Sequence, residues 1–497
     1  MDKTRIPVVI APSQITAKEG VYKAIELCSQ SASQTLDKAK QISVDVLVVV
    51  NILSRHGPAP ASDLKKALKI EPAQLYTTSI GGNTPQYLVN KYANEIAMGN
   101  EITVLVCGAE AMRSSKELRR LKEQGLQRQE PLIKVHEDLT ATPDKALGDD
   151  RPGVSNEEVA AGLLTPTQIY PLFESASAYA EGVSMQEKRL ESANLFSRFT
   201  KVASTNPYAW FKEEFTAQDL ATPSEDNRMI VEPYTKRLCA FLGSDQAASF
   251  IITSLSKAES LGLSDQVIFP LYGADLNDIF YFSQRPTLVV SPAMQHLSKA
   301  LFSQFPIEKI EYFDLYSCFP CAVKLAINAM GLSYDDSRNF TVTGGLPYFG
   351  GPGNNYVSHS IATLHEKLCS SNTYGLVTGL GWYVTKHSWG IYGSSPNSDG
   401  FIKIETSEIQ EQIDTEALEV ISGPFNEDVE VSVVASSVQY DSNGEVNVVS
   451  VVGDIVGSNP PKRIVASNLS DVKEFSGRNL AGEKVIITGT PPKWRLK

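Results

Sequence analysis

The sequence predicts an α/β fold of two similar halves, with a helical insertion in the first half and a small all-β module at the end. Three observations carry this. Apolar, β-branched strand segments alternate with helical patterns over the first 112 residues. The same alternation returns from residue 283, and from residue 401 the chain becomes short strands separated by turns.

In the first half, residues 1–282, PVVIAPS is a short strand and residues 20–39 place Tyr22, Ile25, Cys28 and Ala32 at helical spacing. VDVLVVVNIL is apolar on both faces, as a strand covered on both sides must be. SIGGNTPQ, residues 79–86, then leads into a helix whose apolar face is Leu88, Val89, Tyr92, Ala93, Ile96 and Ala97. Gly99-Asn100 ends that helix and EITVLVCGAEA returns as a strand. This grammar implies a largely parallel sheet.

Residues of about 113–235 change texture. A charged helix, RSSKELRRLKEQ, precedes Pro/Asp/Gly-rich connections and aromatic-bearing helices, which reads as an insertion. The basic run Lys116, Arg119, Arg120 and Lys122 is a solvated helix face. Afterwards SDQAASFIITSLSKAESLGL is expected to be helical and QVIFPLYGA a strand.

The second half, residues 283–400, repeats the order of elements, including a glycine-rich loop, GGPGNN, before a helix. The module of residues 401–497 contains FIKIET, VEVSVVASSVQYD, EVNVVSVVGDIV and EKVIITG. It suits a small barrel of oligonucleotide-binding (OB) type.

Bulk properties exclude several functions. A formal charge of -12 argues against nucleic acid as a partner. No run approaches the roughly 20 apolar residues of a membrane span. Six cysteines scattered through apolar segments suit a reducing compartment, so a cytoplasmic protein is expected. No ligand cluster for a metal is evident.

Candidate chemistry gathers at two kinds of place. Gly81, Gly82 and Asn83, and likewise Gly350, Gly351, Gly353 and Asn354, open helices and could offer backbone N–H groups to a carbonyl oxygen; as the alternative, both loops are tight turns. Cys318, in DLYSCFP, lies where a strand enters a helix. It reads either as a thiol activated by the helix N-terminus or as a buried inert one. Tyr316 stands two residues before it as a phenol at the same mouth or as a core ring. His387 is either a proton shuttle or a packed, hydrogen-bonded histidine. His359 reads as structural.

The stretches EPYTKRLCAFLGSDQAASFIITS, DLYSCFP and GGLPYFGGPGNNY resemble the thiolase superfamily, near the sterol-carrier-protein-2 thiolases, over roughly residues 5–400. The resemblance implies the duplicated five-layer thiolase fold with an inserted loop domain. It also implies a coenzyme A thioester as substrate or ligand rather than a tightly bound cofactor, and acyl transfer or Claisen/retro-aldol chemistry. Homodimer and monomer both stay open.

Against the thiolase pattern, Gly81 stands at the nucleophilic cysteine, Gly351 at the histidine of Gly-His-Pro, and Gly379-Leu380-Gly381 at the late Cys-x-Gly. Tyr316-Ser317-Cys318-Phe319 matches the His-Asp-Cys-Phe of the sterol-carrier type, keeping its cysteine as Cys318. The reading is therefore a thiolase-like acyltransferase in which Cys318, Tyr316 and His387 move protons. The alternative is a non-catalytic acyl-CoA-binding or scaffold protein.

Overall fold

The computed structural model describes residues 2–54, 56–130, 134–469 and 471–497. Strands Pro7–Thr16, Val46–Val49, Gln74–Thr78, Val104–Ala111 and Asp245–Ser254 form the first half. Strands Val267–Asn277, Ile310–Asp314, Tyr374–Gly381 and Lys386–Gly393 form the second. Leaving the third place of the second half to an irregular stretch around residues 341–348, both halves order their strands second, fourth, fifth, first. The repeat inferred from element order thus extends to strand order. Val9 opposite Ile268 and Ile10 opposite Val267 join the halves.

The missing third strand has a visible cause. Buried Asp314 accepts hydrogen bonds from the N–H groups of Val342 and Thr343, at 2.9 and 3.0 Å, and from the Ser360 hydroxyl at 2.7 Å. The carboxylate satisfies backbone donors that a neighbouring strand would otherwise meet.

Two expectations are corrected. The sheet is mixed: Val46–Val49 runs parallel to both its neighbours, and Ile310–Asp314 to Tyr374–Gly381, but the central pairings are antiparallel. The last strand of the second half returns through a short reversal and that of the first through the insertion, so neither needs a parallel crossover. Residues 244–263 are also not one helix. Asp245–Ser254 is a central strand buried at all ten positions, and the helix is confined to Leu255–Ser260. Its Ala and Ser residues suit either state, and burial on both faces decides for the strand.

Helices Thr84–Ala97 and Tyr356–Cys369 occupy corresponding places in the halves and contact strands of both. Ala24–Lys38 packs on strands of the first half, and Pro292–Gln304 on strands of the second. Lys145–Leu147 pairs with the outer edge of Gln74–Thr78 and so covers an otherwise open ladder.

Between Ala111 and Asp245 the chain joins the sheet at Lys145–Leu147, and helices Pro166–Glu181 and Met185–Thr205 are the longest elements of this stretch. Buried Lys324 binds them to the core through Glu174 and Glu191, both at 2.8 Å. Ile402–Lys403 still pairs with the first sheet. A second sheet follows, running Glu419–Val420, Lys462–Asn468, Val446–Ile455, Phe425–Tyr440, Lys484–Gly489, Lys493–Leu496. It curls: the Asn468 side chain bonds both backbone groups of Trp494. Fully buried Arg463 joins it to the first unit, donating to Arg285 O at 2.9 Å and pairing with Asp454 at 2.6 Å. Among the described residues no helix is long and apolar enough to cross a membrane.

His359 and His365, both on Tyr356–Cys369, are buried, and burial pushes their pKa values down to about 3 and about 4 from 6.5. The unfolded chain therefore takes up more protons than the folded one between those values and 6.5. Their contribution to stability is lost as pH falls through that window. His359→Gln, which removes one of these groups, is expected to show a smaller loss of denaturation midpoint than wild type between pH of about 7 and about 5. Equal losses would show that His359 does not carry this linkage.

Candidate functional site

The loops singled out by sequence meet where the halves face each other. Gly81-Gly82-Asn83 ends against strand Tyr374–Gly381, and Asn354 bridges the two glycine loops. Its Oδ1 accepts from Gly81 N–H at 2.9 Å, and its Nδ2 donates to Asn51 O at 3.0 Å. Three of the expected backbone donors are thereby spent inside the protein: besides Gly81, Gly351 N–H donates to Phe241 O and Gly353 N–H to Gly351 O, each at 2.8 Å.

Space at these positions is closed as well. A Cβ at Gly82 would lie 2.1 Å from the Tyr316 hydroxyl oxygen and 2.7 Å from Leu380 O. One at Gly81 would meet Asn83 Oδ1 at 2.5 Å and Lys386 Cε at 3.0 Å. At Gly351 it would lie 2.9 Å from Phe241 O, and at Gly379 2.7 Å from Asn83 Cα. Gly350 and Gly353 are closed by Gln246 and Glu110, at 2.2 and 2.7 Å. These glycines hold backbone against backbone or against packed side chains, leaving no emptied side-chain pocket.

Cys318 lies two residues before helix Pro320–Ala329, with Phe319 as the capping residue. Its thiol is shifted opposite to the expected activation. Burial pushes its pKa up to about 12, against the pull of the Tyr170 hydroxyl and the Phe319 N–H. Tyr316 is buried beside it, its pKa also raised, chiefly by burial and then by Cys318. Its ring packs edge-on against Tyr356 at 5.7 Å. Tyr316, Cys318 and Gly82 thus come together.

His387 does not join them. Along strand Lys386–Gly393, Lys386 and Ser388 face the Thr84–Ala97 helix: Lys386 Nζ donates to Ile80 O at 2.5 Å, and Ser388 Oγ accepts from Asn83 at 3.2 Å. His387 points the other way, to Asp278 at 3.0 Å. Burial would raise the Asp278 pKa, but the His387 hydrogen bond and charge, with Arg285 and Ser291, outweigh it and hold that carboxyl low.

Three cavities surround the closed centre. One of about 610 Å³ lies outside Ser79-Ile80, against Trp382 and Tyr383. A polar one of about 340 Å³ lies between the first turn of Thr84–Ala97 and the strands carrying Asp275 and Lys386. The third, about 600 Å³, is an apolar cleft walled by Phe211, Phe215, Phe241, Leu242 and Tyr348. Lys236, Arg237, Glu213 and Asp226 also line it. Arg237 lies 4.2 Å over the Phe215 ring, and the fully buried Tyr348 hydroxyl has no partner. The backbone of Phe241 separates this cleft from Gly351. Neither Tyr316 nor Cys318 lines any of the three.

Sequence reading overlooked Phe241, Arg237 and Lys386. Lys386 was the most legible of them, a lone cation within the apolar run GWYVTKHSWG. Among the described residues no cluster of His, Cys, Asp or Glu is arranged to hold a metal.

A solved structure of a monomeric SCP2-thiolase like protein type 1 from Mycobacterium smegmatis superposes on this architecture with a TM-score of 0.82. It is 24% identical, over 100% of both chains. The chain has the thiolase fold. The Acat5 thiolase from Ascaris suum, solved in complex with coenzyme A, matches at TM-score 0.55 and 14% identity over 78% of this chain and 99% of its own. The dimeric peroxisomal thiolase of Saccharomyces cerevisiae matches at 0.54 and 13%, over 80% and 99%. No family model matches, and no curated protein matches in sequence.

Gly82→Ala is expected to destabilise the protein by about 1–3 kcal/mol through overpacking. Combined with Tyr316→Leu, which withdraws the phenol, the added loss should shrink by more than about 0.5 kcal/mol in a double-mutant cycle. Strict additivity by denaturant unfolding would place the steric limit elsewhere.

Proposed function

We propose that this thiolase-fold protein binds an acyl-CoA-type thioester without turning it over, as a binding or scaffold protein. The observation that carries the reading is the pairing of an open apolar cleft with a closed centre. An acyl or pantetheine-like chain has an apolar bed between Phe241, Leu242 and Tyr348, with Lys236 and Arg237 available to anionic groups. The Acat5 thiolase complex with coenzyme A supports this ligand class.

Acyl transfer or retro-aldol chemistry through Cys318 is the less supported reading. A thiol with a pKa of about 12 is almost entirely protonated near neutrality, and Cys318 lies outside the cleft. Ordinary thiolysis would further need a nucleophile and a base at positions where Gly81 and Gly351 admit no side chain. The second sheet, anchored through Arg463, is proposed as an OB-like module for protein contacts.

Calorimetric titration with acetyl-CoA and octanoyl-CoA should give saturable binding, stronger for the longer chain. Leu242→Trp, at a half-exposed position, should fill the cleft and weaken octanoyl-CoA by at least about tenfold, or 1.4 kcal/mol. Absence of binding to either ester, or unchanged affinity in a folded Leu242→Trp protein, would overturn the assignment.

A further inference from the structure

The apolar cleft carries a charge that an alkyl chain would not meet. Arg237 is half-buried on its wall, with the guanidinium 4.2 Å over the Phe215 ring. Its backbone is fixed by its N–H donating to Asn227 Oδ1 at 2.9 Å. Among the described residues the guanidinium itself makes no hydrogen bond and no ion pair, so its donors are unspent.

Carboxylates stand near, but none pairs with it. Glu213 and Asp226 are exposed lining residues, and neither lies within ion-pair distance of Arg237 or Lys236. Asp219 caps helix Ala217–Ala221, accepting from the Thr216 hydroxyl and N–H at 2.7 and 2.9 Å. Those hydrogen bonds, and after them the Arg237 charge, hold its pKa low. A guanidinium stacked on an aromatic face keeps its charge and presents a planar fork to a partner with two oxygens. A carboxylate fits that fork through two parallel hydrogen bonds.

Resting on the thioester reading of this cleft, we propose that the acyl group it takes ends in a second acid. The ligand class is the monothioester of a dicarboxylic acid. Its free carboxylate meets Arg237, and its methylene groups lie on Phe211, Phe241 and Leu242. Exposed Lys236 suits the phosphates of the coenzyme moiety, whereas Arg237, set among apolar side chains, suits one charge at the end of an apolar chain. A plain alkyl chain would cover the guanidinium with methylene groups and leave its donors unmet, which is costly.

The test compares esters of equal chain length by calorimetry on the full chain: suberyl-CoA against octanoyl-CoA, and dodecanedioyl-CoA against lauroyl-CoA. We expect the dicarboxylic ester to bind at least about tenfold tighter in one of the pairs. Arg237→Leu should bring that ratio to about one, and Arg237→Lys should keep only part of it, because an ammonium lacks the fork. Equal or weaker binding of the dicarboxylic ester in both pairs would overturn the proposal. So would a ratio kept in folded Arg237→Leu; both esters weakening alike there would assign Arg237 to the coenzyme phosphates instead. Should Arg237→Leu fail to fold, Arg237→Gln takes its place, read by the same ratio. Octanoyl-CoA bound without any dicarboxylic preference would sink this proposal alone, and no binding of any ester would sink the thioester reading with it.

Discussion

The structure turns on a bare contact: the first turn of helix Thr84–Ala97 lies against the glycines of strand Tyr374–Gly381 with almost nothing between. Asn83 occupies the space that side chains at Gly379 and Gly381 would take, and Tyr316 occupies the space beside Gly82. Because Asn83 belongs to the first half and Gly379, Tyr316 and Asn354 to the second, this contact also fixes how the halves approach. The Asn354 side chain ties the second half to two places in the first, accepting from Gly81 N–H and donating to Asn51 O. Interiors packed at crystal-like density leave little freedom to move such a contact by even part of an ångström.

From that constraint the chemistry follows. Gly81, Gly82 and Gly351 are backed closely by neighbouring atoms, and the N–H groups of Gly81, Gly351 and Gly353 are satisfied internally. What stays open is cavity space displaced from the centre: the apolar cleft beyond Phe241 on one side and the polar cavity beside Lys386 on another. Cys318 is caught within the closed region, where burial favours the neutral thiol.

Much of this was legible in residues. The β-branched run VDVLVVVNIL and the glycine signature before each central helix located strands and matching points correctly. The glycine loops read as backbone donors or tight turns, and nothing local said what would pack against them. That information lies in long-range pairs such as Gly82 with Tyr316 and Gly351 with Phe241, which no local pattern records. The same limit explains Asp245–Ser254, whose Ala-Ala-Ser run carries no periodicity strong enough to tell a central strand from a helix. It explains His387 too, since an alternation of one residue along its strand decides which face of the sheet it serves.

The central claim is that a thiolase fold can hold a thioester with its catalytic positions closed. Incubation with a mixed acyl-CoA pool, followed by native and then denaturing intact-mass spectrometry, tests it most directly. The account predicts a non-covalent complex with an intact thioester in the native spectrum and an unmodified chain mass after denaturation. An acyl adduct, at Cys318 or elsewhere, or the appearance of a new product in the pool, would contradict it.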